Sequence, residues 1–546
     1  MNRFPAHLEI RKSPILIFTF LSLVLLICTF SVFAQYTQTK KPNILFCIAD
    51  DASLEHISAY GFNHTAWVKT PTFDKIAQQG LLFMNAYTPN AKCSPSRACI
   101  LTGRNPWQLE AAANHNSYFP AKFTTFMEAL GKNGYDVGFT GKGWTPGNPG
   151  AVQGQRRQLT GKEYKDVKLT PPTKQMGVTN YPGNFEAFLK ERNNEKPFAF
   201  WFGSWEPHRD YEYGSGTEKG RKKISDINKV PPFWIDNDST RNDMLDYAFE
   251  LEYFDRNLQK MLDVLEKNGE LENTIIVVTS DNGMPFPRVK GHVYAYDNHL
   301  PLAIMWKGHI ANPGRKVNDL VSFIDFTPTF LEIAGLTNAS AKMEPVQGKS
   351  LLQLIKAKSS DKASRSNDHV LLGRERTDVG RPHDEGYPVR AIVKGNFFYA
   401  RNYEPDRWPC GDPETGYMDT DGSPTKTSIL NANRAGLFPN IWGLSFGKHP
   451  AELLYDLTND PYCINNLAQL PKYLKIKNAL RTQMERELKQ QQDPRMLGNG
   501  SIFDKYPYAQ QPVLNYYDRF MNGENIPAGW ILPTDFEKKG FVPPKF

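Results

Sequence analysis

Asn43-Ile44-Leu45-Phe46-Cys47-Ile48-Ala49-Asp50-Asp51 is an apolar run that ends on a pair of carboxylates. A strand with one wet face alternates apolar and polar residues. An unbroken run reads instead as a central strand covered on both faces. In open α/β sheets the chemistry lies beyond the carboxyl ends of the strands, which is where Asp50 and Asp51 fall. The pattern recurs downstream. Gly134–Thr140 is a short strand ending in Gly141-Lys142-Gly143-Trp144. Pro197–Phe202 ends in Gly203-Ser204-Trp205-Glu206-Pro207-His208, and Thr274–Thr279 ends in Ser280-Asp281-Asn282-Gly283. Leu302–Trp306 reads as a further apolar strand. Helical patterns separate these runs at Thr72–Gln79 and Phe123–Leu130. The longest is capped by Ser239 or Thr240 and carries the stripe Tyr247, Leu251, Phe254, Leu258, Leu262 and Leu265, which is core. Strands alternating with helices predict an α/β fold with a mostly parallel central sheet flanked by helices.

Residues 145–180 are rich in Gly, Pro, Lys and Gln and read as a surface excursion. The polar stretch Lys358–Asp368 reads as a linker. Beyond it, Val389–Val393 and Asn396–Ala400 form a hairpin around Lys394-Gly395. Glu452–Asp456 adds a strand, and Tyr473–Gln491 is an amphipathic helix. This is a smaller C-terminal α+β unit with an antiparallel sheet. The expected organisation is a leader over 1–34, an α/β domain over 35–365, an α+β subdomain over 366–492, and an irregular surface-packed tail over 493–546.

The leader has Arg3, Arg11 and Lys12 before the apolar run 14–27 and small residues up to Ala34, the order of a secretory signal peptide. Export to a periplasmic, extracellular or lysosome-like compartment follows. An uncleaved anchor is the alternative, and a lipid on Cys28 is not favoured because Ile27 before it is not small. The chain has 546 residues, 40% of them hydrophobic and 23% charged, with a formal net charge of +7. Its cations are interspersed with acids, so nothing reads as a nucleic-acid tract, whereas an anionic substrate fits the mild basic excess. Of the six cysteines, Cys410 and Cys463 either form a disulfide or are two separate buried thiols.

The most unusual stretch is Cys93-Ser94-Pro95-Ser96-Arg97-Ala98-Cys99-Ile100-Leu101-Thr102-Gly103-Arg104. Pro95 and the serines favour a tight turn and Ser96 can cap a following helix, which would place Cys93 and Arg97 at an anion-favouring helix start. A buried structural cysteine before an ordinary helix is an equal reading of this stretch alone. Strand ends deliver Asp50, Asp51, Lys142, His208, Asp281 and Asn282, and loops add Arg97 and Lys290. Four oxygen-bearing side chains suit a hard cation such as Ca²⁺ or Mg²⁺, and no Cys/His cluster has zinc spacing. Three cations beside a metal site point to a strongly anionic group.

Here the chain resembles the type I sulfatases of the alkaline phosphatase superfamily. Cys93 to Arg104 matches that family's C-x-P-S-R-x-x-x-L-T-G-R motif without a mismatch, and the likeness extends to Pro42–Asp51, Gly141-Lys142, Glu206-Pro207-His208 and Thr279–Gly283. The resemblance implies an alkaline-phosphatase-like fold and conversion of Cys93 to formylglycine by a separate formylglycine-generating or anaerobic maturating enzyme. It implies Ca²⁺ on Asp50, Asp51, Asp281, Asn282 and the modified residue 93. A gem-diol hydroxyl then attacks sulfur, Arg97, Lys142 and Lys290 neutralise the sulfate, and His208 takes the proton that collapses the intermediate. The run Ser280–Pro287, with Phe326–Thr329 and Tyr387–Arg390, is most similar to the N-sulfoglucosamine sulfohydrolases (sulfamidases). The implied substrate is the N-sulfate of glucosamine in heparin or heparan sulfate. The alternatives are a carbohydrate O-sulfatase, for example a 6-O-sulfatase of glucosamine, and then a phosphonate or phosphate-ester hydrolase. One departure stands out: many members have K-x-H where this chain has Lys142-Gly143-Trp144. His115 then reads either as the replacement acid or as a substrate-contacting or exposed loop residue, and Trp144 either packs or stacks on a sugar. Arg374, Glu375, Arg376, His383 and Arg390 read as sugar-reading candidates or as solvated charges.

Overall fold

The run Asn43–Ala49 is strand β1, and all 7 of its residues are buried. Leu45, Cys47 and Ala49 pack into one apolar cluster, and Ile44, Phe46 and Ile48 into another on the opposite side. Two covered faces are why the run does not alternate. The computed structural model describes Met1, residues 40–359 and residues 368–544. The leader, Cys28 and most of the 358–368 linker lie outside the described residues. No helix among the described residues is long and apolar enough to cross a membrane.

The other strands of this sheet are β2 Leu81–Tyr87, β3 Asp136–Gly141, β4 Lys162–Glu163, β5 Phe198–Gly203, β6 Thr274–Ser280, β7 Leu302–Met305 and β8 Arg315–Ser322. The eight-stranded order is β8-β2-β7-β6-β1-β5-β3-β4. Only β7 is reversed, antiparallel to β6 and β2, and the remaining pairings are parallel. The mostly parallel sheet holds, with the Leu302 run as its one reversed strand.

The flanking helices are α1 Pro71–Gln79, α2 Cys93–Thr102, α3 Phe126–Lys132, α4 Tyr181–Glu191, α5 Asp238–Lys267 and α6 Phe326–Ile333. The α5 stripe lies in the cluster that holds Leu45 and Cys47, whereas Ala98–Leu101 of α2 lie with Ile44 and Phe46. Phe46 packs against Trp201, Phe326 and Phe330 at ring-centroid distances of 4.7, 5.4 and 5.9 Å. These contacts lock β1, β5 and α6 beneath the site.

Several local readings change. The cap of α5 is Asn237, whose side chain accepts from the Thr240 amide at 2.9 Å, and not Ser239 or Thr240. The pattern at Phe123–Leu130 becomes helical only at Phe126, because Thr125 and Glu128 form a capping box there. Ser96 caps nothing. The α2 helix begins at Cys93 itself after Lys92, and the Ser96 hydroxyl pairs with Thr88 at 2.8 Å. The 145–180 excursion supplies the edge strand β4 and buries Leu159 and Met176. Cys410 and Cys463 are both free, so of the two readings the separate buried thiols hold. The Cys410 sulfur faces the His292 Nε2 at 3.3 Å and donates to the Ser445 carbonyl.

A second sheet, order β9-β10-β11-β12, comprises β9 His369–Arg374, β10 Val389–Lys394, β11 Phe397–Asn402 and β12 Glu452–Asp456, every pair antiparallel. Helix α7, Leu474–Gln490, covers it with Leu480, Met484 and Leu488 against Ile392, Tyr399 and Leu454. Residues 493–544 are not wholly irregular: they carry the short helices Ile502–Lys505 and Tyr516–Met521 and are anchored by buried Asp493, Phe503, Tyr508 and Tyr516.

Two glycines let the strand ends close up under the site. A Cβ on Gly203 would sit 1.9 Å from the Lys142 carbonyl oxygen, and one on Gly141 (φ +77°) 2.0 Å from the Gly203 oxygen. Both neighbours are backbone, so neither can move without parting β3 from β5. Gly203→Ala is expected to cost about 1–3 kcal/mol of stability and to displace Lys142, read as a lower thermal midpoint together with reduced turnover.

Candidate active site

Parallel register carries the strand-end residues to one edge. Ala49 of β1 pairs with Ser280 of β6, Ile48 pairs with Gly203 of β5, and Gly203 pairs with Gly141 of β3. The next residues along, Asp50 and Asp51, Asp281 and Asn282, and Lys142, therefore emerge side by side. The start of α2 faces them. The Cys93 thiol points to Asp50 Oδ1 at 3.5 Å and Asp51 Oδ1 at 3.8 Å.

All of these groups are buried, and charges of opposite sign alternate. Arg97 Nε donates to Asp281 Oδ2 at 2.7 Å, while its terminal nitrogens reach the carbonyls of Lys142 (2.7 Å) and Gly143 (3.0 Å) and Asp50 Oδ1 (3.4 Å). Lys142 donates to Asp50 Oδ2. Lys290 bridges Asp51 Oδ2 at 2.7 Å and Asp421 Oδ2 at 3.0 Å. The three expected cations are thus each paired with a carboxylate. His208 Nε2 lies 3.9 Å from Asp51 Oδ2, and its Nδ1 faces the Arg209 carbonyl. Arg209 is itself pinned by a bidentate pair with Asp243 at 2.7 and 2.8 Å.

Titration follows from this packing. Burial, reinforced by Asp50 and opposed by Lys142 and Lys290, pushes the Cys93 thiol well above its ordinary pKa, so it is not poised as a thiolate. Burial also raises the Asp281 carboxyl against the pull of Arg97. Burial is also the largest influence on Asp50 and would raise it, but Lys142, His208 and Arg97 together turn the net shift downward. Lys290 is held well above its usual value by Asp421 and Asp51 in spite of burial.

The donor set fits a hard divalent cation. Carboxylate oxygens of Asp50, Asp51 and Asp281 lie within 4.8 Å of one another. The Asn282 Oδ1 is buried with no hydrogen-bond partner, an oxygen left for a cation to satisfy. The same edge holds Cys93, so position 93 and the cation would share one anion.

A family model described as Sulfatase matches residues 42–336. The chain belongs to the sulfatase family. It is therefore a hydrolase of sulfate esters or sulfamides. This sulfatase is 29% identical over 466 residues to an ulvan-active sulfatase of Formosa agariphila, with 83% of this chain and 81% of that relative covered. It is 25% identical over 537 residues to the N-sulphoglucosamine sulphohydrolase of Homo sapiens, covering 89% and 98%. A solved structure described as a complex with its substrate D-glucosamine-2-N,6-O-disulfate has the same fold, with a TM-score of 0.57, 20% identity, and coverage of 83% of this chain and 99% of that one.

Around the sulfatase centre the remaining candidates separate. Trp144 is buried, donates its indole N–H to the Ser94 carbonyl at 2.9 Å and packs edge-on to Phe119 behind α2. Its ring forms part of the wall of a cavity of about 360 Å³ that Trp205, Arg156 and Lys165 also line. His115 is buried and faces Asp378. Glu375 and Arg390 do not face the site. Arg390 is clamped by Asp493 and Glu375, and Glu375 also by Arg495. Arg374 is tied to Asp419, and Arg376 to the Tyr506 carbonyl. His383 is exposed beside Asp518. Neither a sugar-reading role nor free solvation is what most of these charges show: Asp419 pairs with Arg374, and the tail supplies partners to Glu375, Arg376, His383 and Arg390. Asp421, Asp378, Lys92 and Tyr508 went unread. Of these only Lys92, next to Cys93, had a local signal.

Proposed function

We propose that this protein removes the N-sulfate of glucosamine from heparin- or heparan-sulfate-type glycans as an exported, calcium- and formylglycine-dependent sulfohydrolase. The observation that carries this reading is the shared edge on which Cys93, the three carboxylates and the unpartnered Asn282 oxygen meet Arg97, Lys142 and Lys290. The near full-length similarity to an N-sulphoglucosamine sulphohydrolase supports the choice of substrate.

Asp50, Asp51, Asp281 and Asn282 would hold the Ca²⁺. When present, the ion supplies a Lewis acid for the sulfate oxygens, and the formylglycine hydrate derived from Cys93 supplies the attacking oxygen. The chain's own side chains do the rest. Lys142 and Lys290 offer ammonium donors to the anion, and the burial that excludes water strengthens them. Arg97 is spent on Asp281 and two carbonyls, so it fixes the carboxylates and the start of the Lys142 loop. With Nδ1 on the Arg209 carbonyl, His208 has Nε2 left to accept a proton beside Asp51.

Matured enzyme is expected to release sulfate from glucosamine N-sulfate, and chelation should abolish that release until Ca²⁺ is restored. At 100 times its dissociation constant Ca²⁺ should add about 2.7 kcal/mol of stability, read as a rise in thermal midpoint that Asp281→Ala removes. The 27% identity over 414 residues to an N-acetylglucosamine-6-O-sulfatase of Bacteroides thetaiotaomicron favours a second reading, a carbohydrate O-sulfatase. Turnover of glucosamine 6-O-sulfate with none of glucosamine N-sulfate would select it.

A further inference from the structure

Two imidazoles border the start of α2, and the reading above uses only His208. The other, His115, is locked in place from both sides. Its amide donates to the Arg376 carbonyl at 3.0 Å, and the next amide, of Asn116, donates to the Ser94 hydroxyl at 3.2 Å, one residue from Cys93. Its Nδ1 faces Asp378 Oδ1 at 3.3 Å. That oxygen also accepts the Tyr508 hydroxyl at 2.8 Å, and Asp378 Oδ2 lies 3.5 Å from Lys92 Nζ. The Asp378 amide donates to Asp419 at 2.9 Å, which anchors the backbone that carries this carboxylate. The Nε2 edge is different: it has no hydrogen-bond partner among the described residues, and the His115 side chain is 11% exposed. A ring whose Nδ1 is fixed on a carboxylate and whose Nε2 is open has the arrangement of an oriented acid–base histidine.

We propose that His115, oriented by Asp378, is the general acid that protonates the departing atom of the substrate. The proposal rests on the sulfohydrolase reading and names a step that reading leaves without a donor. As the attacking oxygen bonds to sulfur, the bond from sulfur to the sugar nitrogen or oxygen breaks and its electron pair stays on the departing atom. That atom takes the proton from His115 Nε2. The imidazole is left neutral, with its remaining proton on Nδ1 toward Asp378. An amine or an alcohol leaves as a high-energy anion unless it is protonated in the transition state, so the donor matters most for these groups. Trp144 cannot serve, because its one N–H is bound to the Ser94 carbonyl.

The charged groups that act on His115 are Asp378, itself bound by the Tyr508 hydroxyl, and the nearby cations Lys92 and Lys290. Burial lowers its pKa, Asp378 pulls it back up, and the two lysines press it down. The net shift is downward, so the protonated donor is lost as pH rises through a value lower than that of an ordinary histidine. Turnover of poor leaving groups should be highest on the acid side.

The test compares leaving groups within one enzyme. His115→Gln and Asp378→Asn are assayed on glucosamine N-sulfate and on aryl sulfates whose phenols are acidic enough to leave unprotonated. For His115→Gln, the loss of kcat on glucosamine N-sulfate should exceed the loss on the aryl sulfates by about 10²–10⁴-fold, and the fall of kcat at rising pH should disappear. Asp378→Asn should lose less and move that fall to lower pH, matching a downward shift of the His115 ring titration followed by NMR. Equal losses on both substrate classes, or a change confined to KM, would overturn the proposal in favour of a structural or sugar-binding role. A wild-type enzyme that cleaves aryl and sugar O-sulfates but not glucosamine N-sulfate would instead overturn the N-sulfate reading. The same comparison then applies to the sugar O-sulfate, whose alkoxide needs the proton equally.

Discussion

Cys93→Ala is expected to fold normally and to release no sulfate. Cys93 is the first residue of α2, and among the described residues its thiol's hydrogen bonds are the long ones to Asp50 and Asp51. Truncation there removes one small sulfur group and leaves the Arg97–Asp281 and Lys290–Asp51 pairs in place, at a cost of about 1 kcal/mol. The effect on turnover is of another order. Loss of a nucleophile typically removes roughly 10⁴-fold or more, leaving only what binding and electrostatics supply. The carboxylates, Lys142 and Lys290 remain, so sulfated sugar should still bind the variant. Sulfate release, thermal midpoint and sugar binding together separate a lost nucleophile from a lost fold. Mass analysis of the peptide spanning residue 93 should show an aldehyde in active preparations. An unmodified thiol in fully active enzyme would refute the formylglycine mechanism, as would an alanine variant that retains a substantial part of the wild-type rate.

Arg97→Met is expected to give the largest loss of stability at the site. The guanidinium is fully buried and satisfies Asp281, Asp50 and two carbonyl oxygens at once. Methionine restores the volume but leaves Asp281 close to Asp50 and Asp51 with one cation fewer. Breaking a buried pair by removing one partner costs about 3–5 kcal/mol, because the remaining charge stays desolvated. Denaturant unfolding with and without Ca²⁺ tests both the size and the cause. Extra negative charge should make the variant depend more strongly on Ca²⁺, so saturating Ca²⁺ should recover part of the loss. Arg390→Met is the control: it breaks an equally buried pair with Asp493 and Glu375 and should show a loss that Ca²⁺ leaves unchanged. Equal Ca²⁺ sensitivity in the two variants would mean that Arg97 does not act on the metal-binding carboxylates.

The difference between these two arginines also marks how far the chain could be read from its residues. Arg97 lies in a dense local motif, and the apolar runs place its partners at strand ends. Arg390 follows a similar pattern, a charged residue in a strand after a loop rich in charge. Its neighbours in space are decided by the pairing of Gly373 with Arg390 and by Asp493 arriving from the tail. No periodicity links positions that far apart. The same holds for Asp378, Asp421 and Tyr508, loop and tail residues whose spacing from Cys93 carries no signal. The cap of α5 was misplaced for a local reason: Asn237, Asp238, Ser239 and Thr240 are all competent caps, and only the observed backbone selects Asn237.

Residue order alone sufficed for the alternation of strands and helices, the burial of β1 on both faces, and the placing of Asp50, Asp51, Lys142, His208, Asp281 and Asn282 at strand ends. Each of those features is local, being an apolar run or the residues that end it, whereas Cys93 joined them through its resemblance to the family motif. Tertiary packing decided which charges remain available to a substrate. It spends Arg97 on Asp281, ties Glu375 and Arg390 to the tail, bridges Lys290 to Asp421 and turns His115 onto Asp378. A buried charge takes whichever counter-charge the fold brings within reach, and in this chain those partners lie up to hundreds of residues away in sequence.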